Sequence, residues 1–382
     1  MQINRLIKQL LFKLVKPSII FESYPDFTDN TKAVFDEMIA RNYNRKYYLF
    51  WYINNSEYAI INKSGNIEYW ERWDNKSLKN KIRSLSLRKK VKAVIMCNRF
   101  ITPTPFSKCD VSIYLTHGTP IKNTKNYYNI PACVDFCLAS STQAKALVAE
   151  SFNYDIKKVI PLGLPRNDVF TKPVIDIKKI LNTTCSKIIV WYPTYKQHNS
   201  GMKTGSDKAI PIIYNKNSRL KLNNELQKRN IMIVIKPHFA QDLSFICKQD
   251  LSNMKFIDDK FYEAKGITSY QFLAASDALL TDYSSVYCDY LLCDKPIGLI
   301  WEDIEDYKLN PGLHPKYKEL SIGTYKIYTL EDLLCFVNNL GNDVDPLKHE
   351  RQKLRDILNK SIDGKNSIRV VDFIENCLNS NS

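Results

Sequence analysis

Short apolar runs alternate with stretches of helical period almost throughout the chain, the pattern of α/β layers built on parallel strands. In the first half the spacing predicts strands over 18–21, 47–51, 93–96, 112–115, 136–138 and 158–160, with helices at 31–41 and 142–152. The second half repeats the scheme, with strands over 187–191, 232–235, 255–257, 278–280 and 296–299 and helices at 217–228, 269–275 and 284–292. A polar, strand-poor stretch separates the two. The expected organisation is a terminal helix (1–17), a first lobe (18–166), a linker (167–186), a second lobe (187–345) and a closing helical segment (346–382). The fold class is α/β, as two doubly wound, Rossmann-like lobes. Such lobes place an interlobe cleft at the carboxyl ends of both sheets, where ligands of open α/β sheets bind.

The first sixteen residues carry a helical stripe of Ile3, Leu6, Ile7, Leu10, Leu11, Leu14 and Val15, opposite Arg5, Lys8, Gln9, Lys13 and Lys16. A basic amphipathic helix of this kind suits the headgroup region of an anionic membrane, and equally a terminal helix docked on its own domain. A second segment, Lys76 to Lys92, holds eight basic residues and no acidic one. At ~1 kcal/mol per basic residue near an anionic surface, the two could jointly hold the protein there. A merely solvated face is the alternative for the second segment.

Charge widens the same point. Lys and Arg number 55 against 40 Asp and Glu, a net +15 that favours phosphate-bearing partners. No recognised DNA- or RNA-binding motif accompanies it, so nucleic acid is not an expected partner. The 44% hydrophobic content excludes disordered and collagen-like classes. No apolar run approaches the ~18 residues of a membrane-spanning helix, and Arg5, Lys8 and Lys13 interrupt the N-terminus too early for a secretory signal. Most of the ten cysteines sit in apolar runs. Cys133 and Cys137 could form half a metal site, but no second pair stands at suitable spacing, which favours free thiols of a cytosolic chain.

Candidate chemistry gathers where strands end. The strand over 112–115 runs into Thr116-His117-Gly118-Thr119-Pro120, where Gly118 permits a sharp turn and Thr119-Pro120 resembles a helix cap followed by Pro at the first helical position. His117 is thereby expected beside a helix N-terminus that favours an anion. The strand over 232–235 ends in Lys236-Pro237-His238, a fixed cation and a second histidine. After 278–280 comes Thr281-Asp282-Tyr283-Ser284-Ser285 and then a helix, a setting for a phosphate group; simple capping by Asp282 or Ser284 is compatible with it. Gly163-Leu164-Pro165-Arg166-Asn167-Asp168 and Tyr192-Pro193-Thr194-Tyr195-Lys196 add the cations Arg166 and Lys196 and the Thr194 hydroxyl. Cations, imidazoles and hydroxyls with few carboxylates suit a diphosphate. Asp343-Val344-Asp345 follows no predicted strand and is a poor divalent-metal site, so neither metal nor cofactor is expected.

His-Gly-Thr-Pro, Gly-x-Pro-Arg-Asn-Asp, Tyr-Pro-Thr-Tyr, Lys-Pro-His and Thr-Asp-Tyr-Ser-Ser, in this order, resemble the CDP-glycerol glycerophosphotransferase family, enzymes that prime or polymerise wall teichoic acids and related capsules. Phe21-Glu22-Ser23 and Asp29-Asn30-Thr31-Lys32-Ala33 are similar to its first strand and loop, so the resemblance runs from about 19 to 300. It implies a GT-B-like fold, peripheral (monotopic) attachment at the cytoplasmic face of the cell membrane, and transfer of glycerol phosphate from CDP-glycerol to a lipid-linked or polymeric acceptor with loss of CMP. It also implies that His117 and His238 are the essential pair, with His117 assigned as general base. Ser284 and Ser285, with Thr281, would hold the donor phosphates in the second lobe, and the first lobe would admit the acceptor. Gly118, Thr119, Arg166, Thr194, Lys196, Lys236 and Asp282 complete the expected substrate contacts. Two departures leave the transferred group open, and with it CDP-ribitol or another CDP-polyol. Lys196 replaces the family's usual Arg, and 307–314 lacks an Arg-Gly-Phe-Tyr-like segment. A GT-B glycosyltransferase using a nucleotide sugar is the nearest rival.

Overall fold

Strands covered on both faces must be apolar at nearly every position. That is why Ile19-Ile20-Phe21 in β1 (Ser18–Glu22) and the Leu49-Phe50-Trp51 run in β2 (Tyr48–Ile53) read as unbroken apolar runs. The computed structural model describes residues 17–53, 67–71, 91–98, 109–123, 129–194, 210–237, 251–309, 312–359 and 361–380, with the backbone alone for 67–71. The predicted 1–17 helix and most of the 76–92 basic segment lie outside the described residues, as do Lys196 and His238.

Two compact units emerge. One takes the described chain up to Thr119, resumes before Asp168 and ends with the last helix; the other takes the short segment from Pro120 and then Val169–Asn359. The first unit's sheet is parallel, in the order β3-β2-β1-β4-β5-β6-β7. Its remaining strands are β3 (Ile67–Glu71), β4 (Val91–Met96), β5 (Val111–Tyr114), β6 (Phe136–Leu138) and β7 (Val159–Ile160). Alternate residues serve opposite cores. Ile19 and Phe21 pack with Val34, Phe35 and Met38 of the helix Asp29–Ala40 and with Val370 and Ile374 of the helix Asn366–Ser380. Ile20 and Phe50 face Val148 and Phe152 across the sheet. Each fully buried side chain of this size contributes about 1.5–3 kcal/mol.

The second unit has its own parallel sheet, in the order β10-β9-β8-β11-β12-β13. Its strands are β8 (Lys187–Tyr192), β9 (Ile231–Ile235), β10 (Met254–Phe256), β11 (Ala278–Thr281), β12 (Ile297–Ile300) and β13 (Tyr325–Ile327). Ile189, Trp191 and Ile233 pack against Leu222 and Leu226 of the helix Lys216–Lys228 and Phe336 and Val337 of the helix Leu330–Gly341. Two doubly wound α/β units make the GT-B-like class expected from the sequence.

Four local expectations change. Edge strands β3 and β13 were not anticipated. The stretch 167–186 is not a bare linker: a 3-10 segment, Pro165–Thr171, runs into it, and it holds a short helix, Ile177–Leu181. The helix expected over 284–292 is only Val286–Tyr290, continued by a 3-10 turn, Leu291–Cys293, which Asp294 ends in a left-handed conformation. The closing stretch splits, with Lys348–Leu358 in the second unit and Asn366–Ser380 in the first.

The last helix is held by the Gly163–Asp168 motif. Gly163 has φ +86°, and a Cβ there would meet the Asn366 side chain at 2.0 Å. The buried Asp168 carboxylate caps the helix from outside, accepting from the Asn366 and Ser367 amides at 2.8 Å each. Asp168→Ala strands both donors, and a destabilisation of about 1–3 kcal/mol is expected. The chemical-denaturation midpoint checks this, and an unmoved midpoint would mean the cap contributes nothing.

Candidate functional site

In each sheet the strand order reverses once, and the motifs sit at those reversals. In the first unit the reversal lies between β1 and β4, in the second between β8 and β11. Loops diverge at such points and leave a crevice at the carboxyl ends of the strands.

At the first reversal, Asp29 follows β1, Cys97 ends β4, His117 follows β5 and Arg166 follows β7. Asn30 binds the loops together. Its buried amide donates to the carbonyls of Leu115 (3.3 Å) and Thr116 (2.9 Å), and its Oδ1 accepts from the Arg166 amide at 3.0 Å. These bonds help hold Thr116 at φ +55°, a conformation costly for a β-branched residue. The strained turn delivers the His117 imidazole outward, 61% exposed.

The Asp29 carboxylate, 4% exposed, bonds to His117 Nδ1 through Oδ2 and accepts from Arg166 Nη1 through Oδ1 at 2.8 Å. Burial alone would raise the Asp29 pKa. The Arg166 guanidinium first and His117 second overcome it and hold the carboxyl far below the usual carboxylate range. An ionised carboxylate only accepts, so the imidazole proton sits on Nδ1, and Nε2 is the nitrogen able to take a proton. Arg166 also reaches the His117 carbonyl at 3.3 Å, fixing the turn from below.

Asp29, Cys97 and His117 offer ligand atoms within 4.8 Å of one another, a spacing a metal ion could use. Their chemistry fits that role poorly. Burial pushes the Cys97 thiol well up, and it donates to the Thr116 carbonyl at 2.9 Å, while the permanent charge of Arg166 already occupies Asp29. The cluster suits orientation of an imidazole.

The expected helix after Thr119 is not there. Thr119 is buried with its hydroxyl 2.9 Å from that of Ser140, and the chain continues extended, Lys122 bridging Leu313. Gly118, at φ +113°, supplies the turn.

In the second unit, Asp282 ties β8 to β11. Its carboxylate accepts from the Thr194 amide (3.1 and 2.9 Å) and the Tyr283 amide (2.7 Å). The Thr281 hydroxyl is turned inward and donates to the Tyr192 carbonyl at 2.7 Å. Both side chains thus shape the loop. The buried Thr194 hydroxyl has no hydrogen-bond partner among the described residues. Ser284 Oγ accepts from the Val286 amide at 3.4 Å, and Ser285 stands at the N-cap. Lys236 ends β9 and pairs with Asp259 at 3.0 Å.

Sequence reasoning missed Asp29 and Asn30 as site residues, having placed them only in a loop. Their signal was an acid and an amide opening the helix that follows a buried strand.

Comparisons with known proteins show which family the chain falls in and which fold it shares. The family described as CDP-Glycerol:Poly(glycerophosphate) glycerophosphotransferase matches residues 6–376. A teichoic acid glycerol-phosphate primase of Bacillus subtilis is 23% identical, the match covering 95% of this chain and 93% of the relative. A teichoic acid ribitol-phosphate primase of Bacillus spizizenii is 25% identical over 64% of this chain and 60% of its own length. The structure of a variant of the wall teichoic acid polymerase TagF superimposes with a TM-score of 0.73 at 21% identity, covering 99% of this chain and 95% of that one; at that identity the likeness is one of fold.

Proposed function

This chain belongs to the CDP-glycerol:poly(glycerophosphate) glycerophosphotransferase family, and from that premise we propose that it transfers glycerol phosphate from CDP-glycerol to a hydroxyl of a lipid-linked or polymeric acceptor, in teichoic acid or capsular polymer synthesis. The acceptor oxygen attacks the phosphorus bearing glycerol, a new P–O bond forms, and the bridging P–O bond breaks with its electron pair leaving on CMP. Such a transfer asks the protein mainly for alignment and charge stabilisation. The acceptor proton passes to His117 Nε2. Asp29 holds the imidazole in the right tautomer and stabilises the imidazolium that forms, while Arg166 keeps Asp29 ionised.

In this proposal the second unit holds the donor. Lys236, Thr194, Ser284 and Ser285 supply charge and hydroxyls to the diphosphate, with Lys196 and His238 assigned there by resemblance, His238 assisting departure of CMP. The observation that carries the proposal is the His117 imidazole held at Nδ1 by an ionised, buried carboxylate.

The similarity to a ribitol-phosphate primase favours a second donor, CDP-ribitol. Incubation with each CDP-polyol separately, with acceptor present, decides the matter by CMP release. Release from CDP-glycerol is expected. Release of UDP or GDP from a nucleotide sugar, and no CMP from either polyol, would overturn the assignment in favour of a glycosyltransferase.

The two acid-free basic segments support peripheral attachment to the anionic cytoplasmic face of the cell membrane. No helix among the described residues is long and apolar enough to cross a membrane.

A further inference from the structure

Lys122 lies in sequence within the first unit, yet it belongs to the second. Pro120 onward packs there: the Asn123 amide donates to the Gly312 carbonyl (3.1 Å), the His314 amide to the Ile121 carbonyl (2.9 Å), and Lys122 bridges Leu313. The ammonium is thereby set 5.8 Å from the centre of the Tyr307 ring. Tyr307 stacks on Tyr283, centroids 3.6 Å apart and planes 14° from parallel, so Lys122 stands beside the Asp282-Tyr283 turn that ends β11.

Other inward-turned lysines of this unit are spent. Lys326 donates to the Thr324 hydroxyl and carbonyl, and Lys295 to the carbonyls of Ala274 and Ser276. Lys122, half-buried, makes no hydrogen bond or ion pair with any described residue. Burial draws its pKa down, while the field of Asp282 works the other way. The Asp282 carboxylate is held by the Thr194 and Tyr283 amides and forms no ion pair with Lys122. Alongside, the Thr194 hydroxyl is buried and unpartnered. A half-buried cation in the field of Asp282 and a buried hydroxyl with no partner among the described residues, on a residue whose amide bonds Asp282, are costly unless an anion completes them.

We propose that Lys122, together with the Thr194 hydroxyl, binds the diphosphate of the CDP-linked donor. The assignment rests on the donor reading above and adds a ligand to it. Lys122 depends on 312–314 for its position, and this is part of the segment where the sequence departs from the family pattern. The same contact therefore ties recognition of the diphosphate to the loop that differs.

Titration calorimetry on the full chain with CDP and with cytidine tests it. Lys122→Gln is expected to weaken CDP binding roughly 10- to 100-fold, the range of a lost charge-assisted hydrogen bond, and to leave cytidine binding unchanged. Lys122→Arg is expected to keep most of the affinity, which guards against a folding defect in the first variant. Wild-type affinity for CDP in Lys122→Gln would overturn the Lys122 assignment alone. Equal loss of CDP and cytidine binding in both variants would make Lys122 a structural residue and likewise overturn it. Failure of the wild-type chain to bind CDP at all would instead remove the donor reading, and Lys122 with it.

Discussion

Replacing His117 with alanine is expected to lower the rate of CMP release by roughly 10²–10⁴-fold, the usual contribution of a positioned general base. Donor binding should survive, because His117 belongs to the first unit and the proposed phosphate ligands to the second. The imidazole is mostly exposed, so its removal should not unfold the chain. Steady-state turnover at saturating donor, with CDP affinity measured in parallel, separates the two effects. Added imidazole restoring part of the rate would identify the missing function as proton transfer. Undiminished turnover with normal CDP affinity would remove His117 from the chemistry, and the base would have to be sought elsewhere.

The central strands were legible because double-sided burial writes itself into the sequence. Ile19, Ile20 and Phe21 are all fully buried, and nothing polar can interrupt them. At the sheet edges that constraint relaxes. β3 reads Ile-Glu-Tyr-Trp-Glu and β13 is three residues including Lys326, so neither shows a run. Thr119-Pro120 carried a sound local signal for a helix start. Tertiary partners overrode it, Ser140 taking the Thr119 hydroxyl and the loop at 312–314 taking the backbone that follows. The Gly163–Asp168 motif was read as a source of one cation. Most of its residues instead dock the final helix, and only Arg166 turns to the site. Asp29 was invisible as a functional group for a related reason. Its role exists only once the loops after β1, β5 and β7 are brought together, and no local spacing encodes that meeting.

Asp29→Asn should therefore be the sharper test of the site. An amide at 29 can donate to Nδ1, which would move the imidazole proton to Nε2 and leave nothing there to accept the acceptor's proton. It also removes the anion that stabilises the imidazolium. A fall in kcat of roughly 10²–10⁴-fold is expected with KM for the donor little changed, the signature of an interaction made in the transition state. Asp29→Glu, which keeps the charge, should recover part of the rate. Stability gives an independent readout. The carboxyl's pKa is depressed on folding, so its stabilisation is fully present above the unfolded value of about 3.9 and fades as pH falls towards the lower native value. The stability gap between wild type and Asp29→Asn should thus be widest near neutral pH and close under strong acid. Two results at once, wild-type kcat in Asp29→Asn and a gap that does not vary with pH, would mean that the carboxylate neither orients His117 nor is held ionised by Arg166.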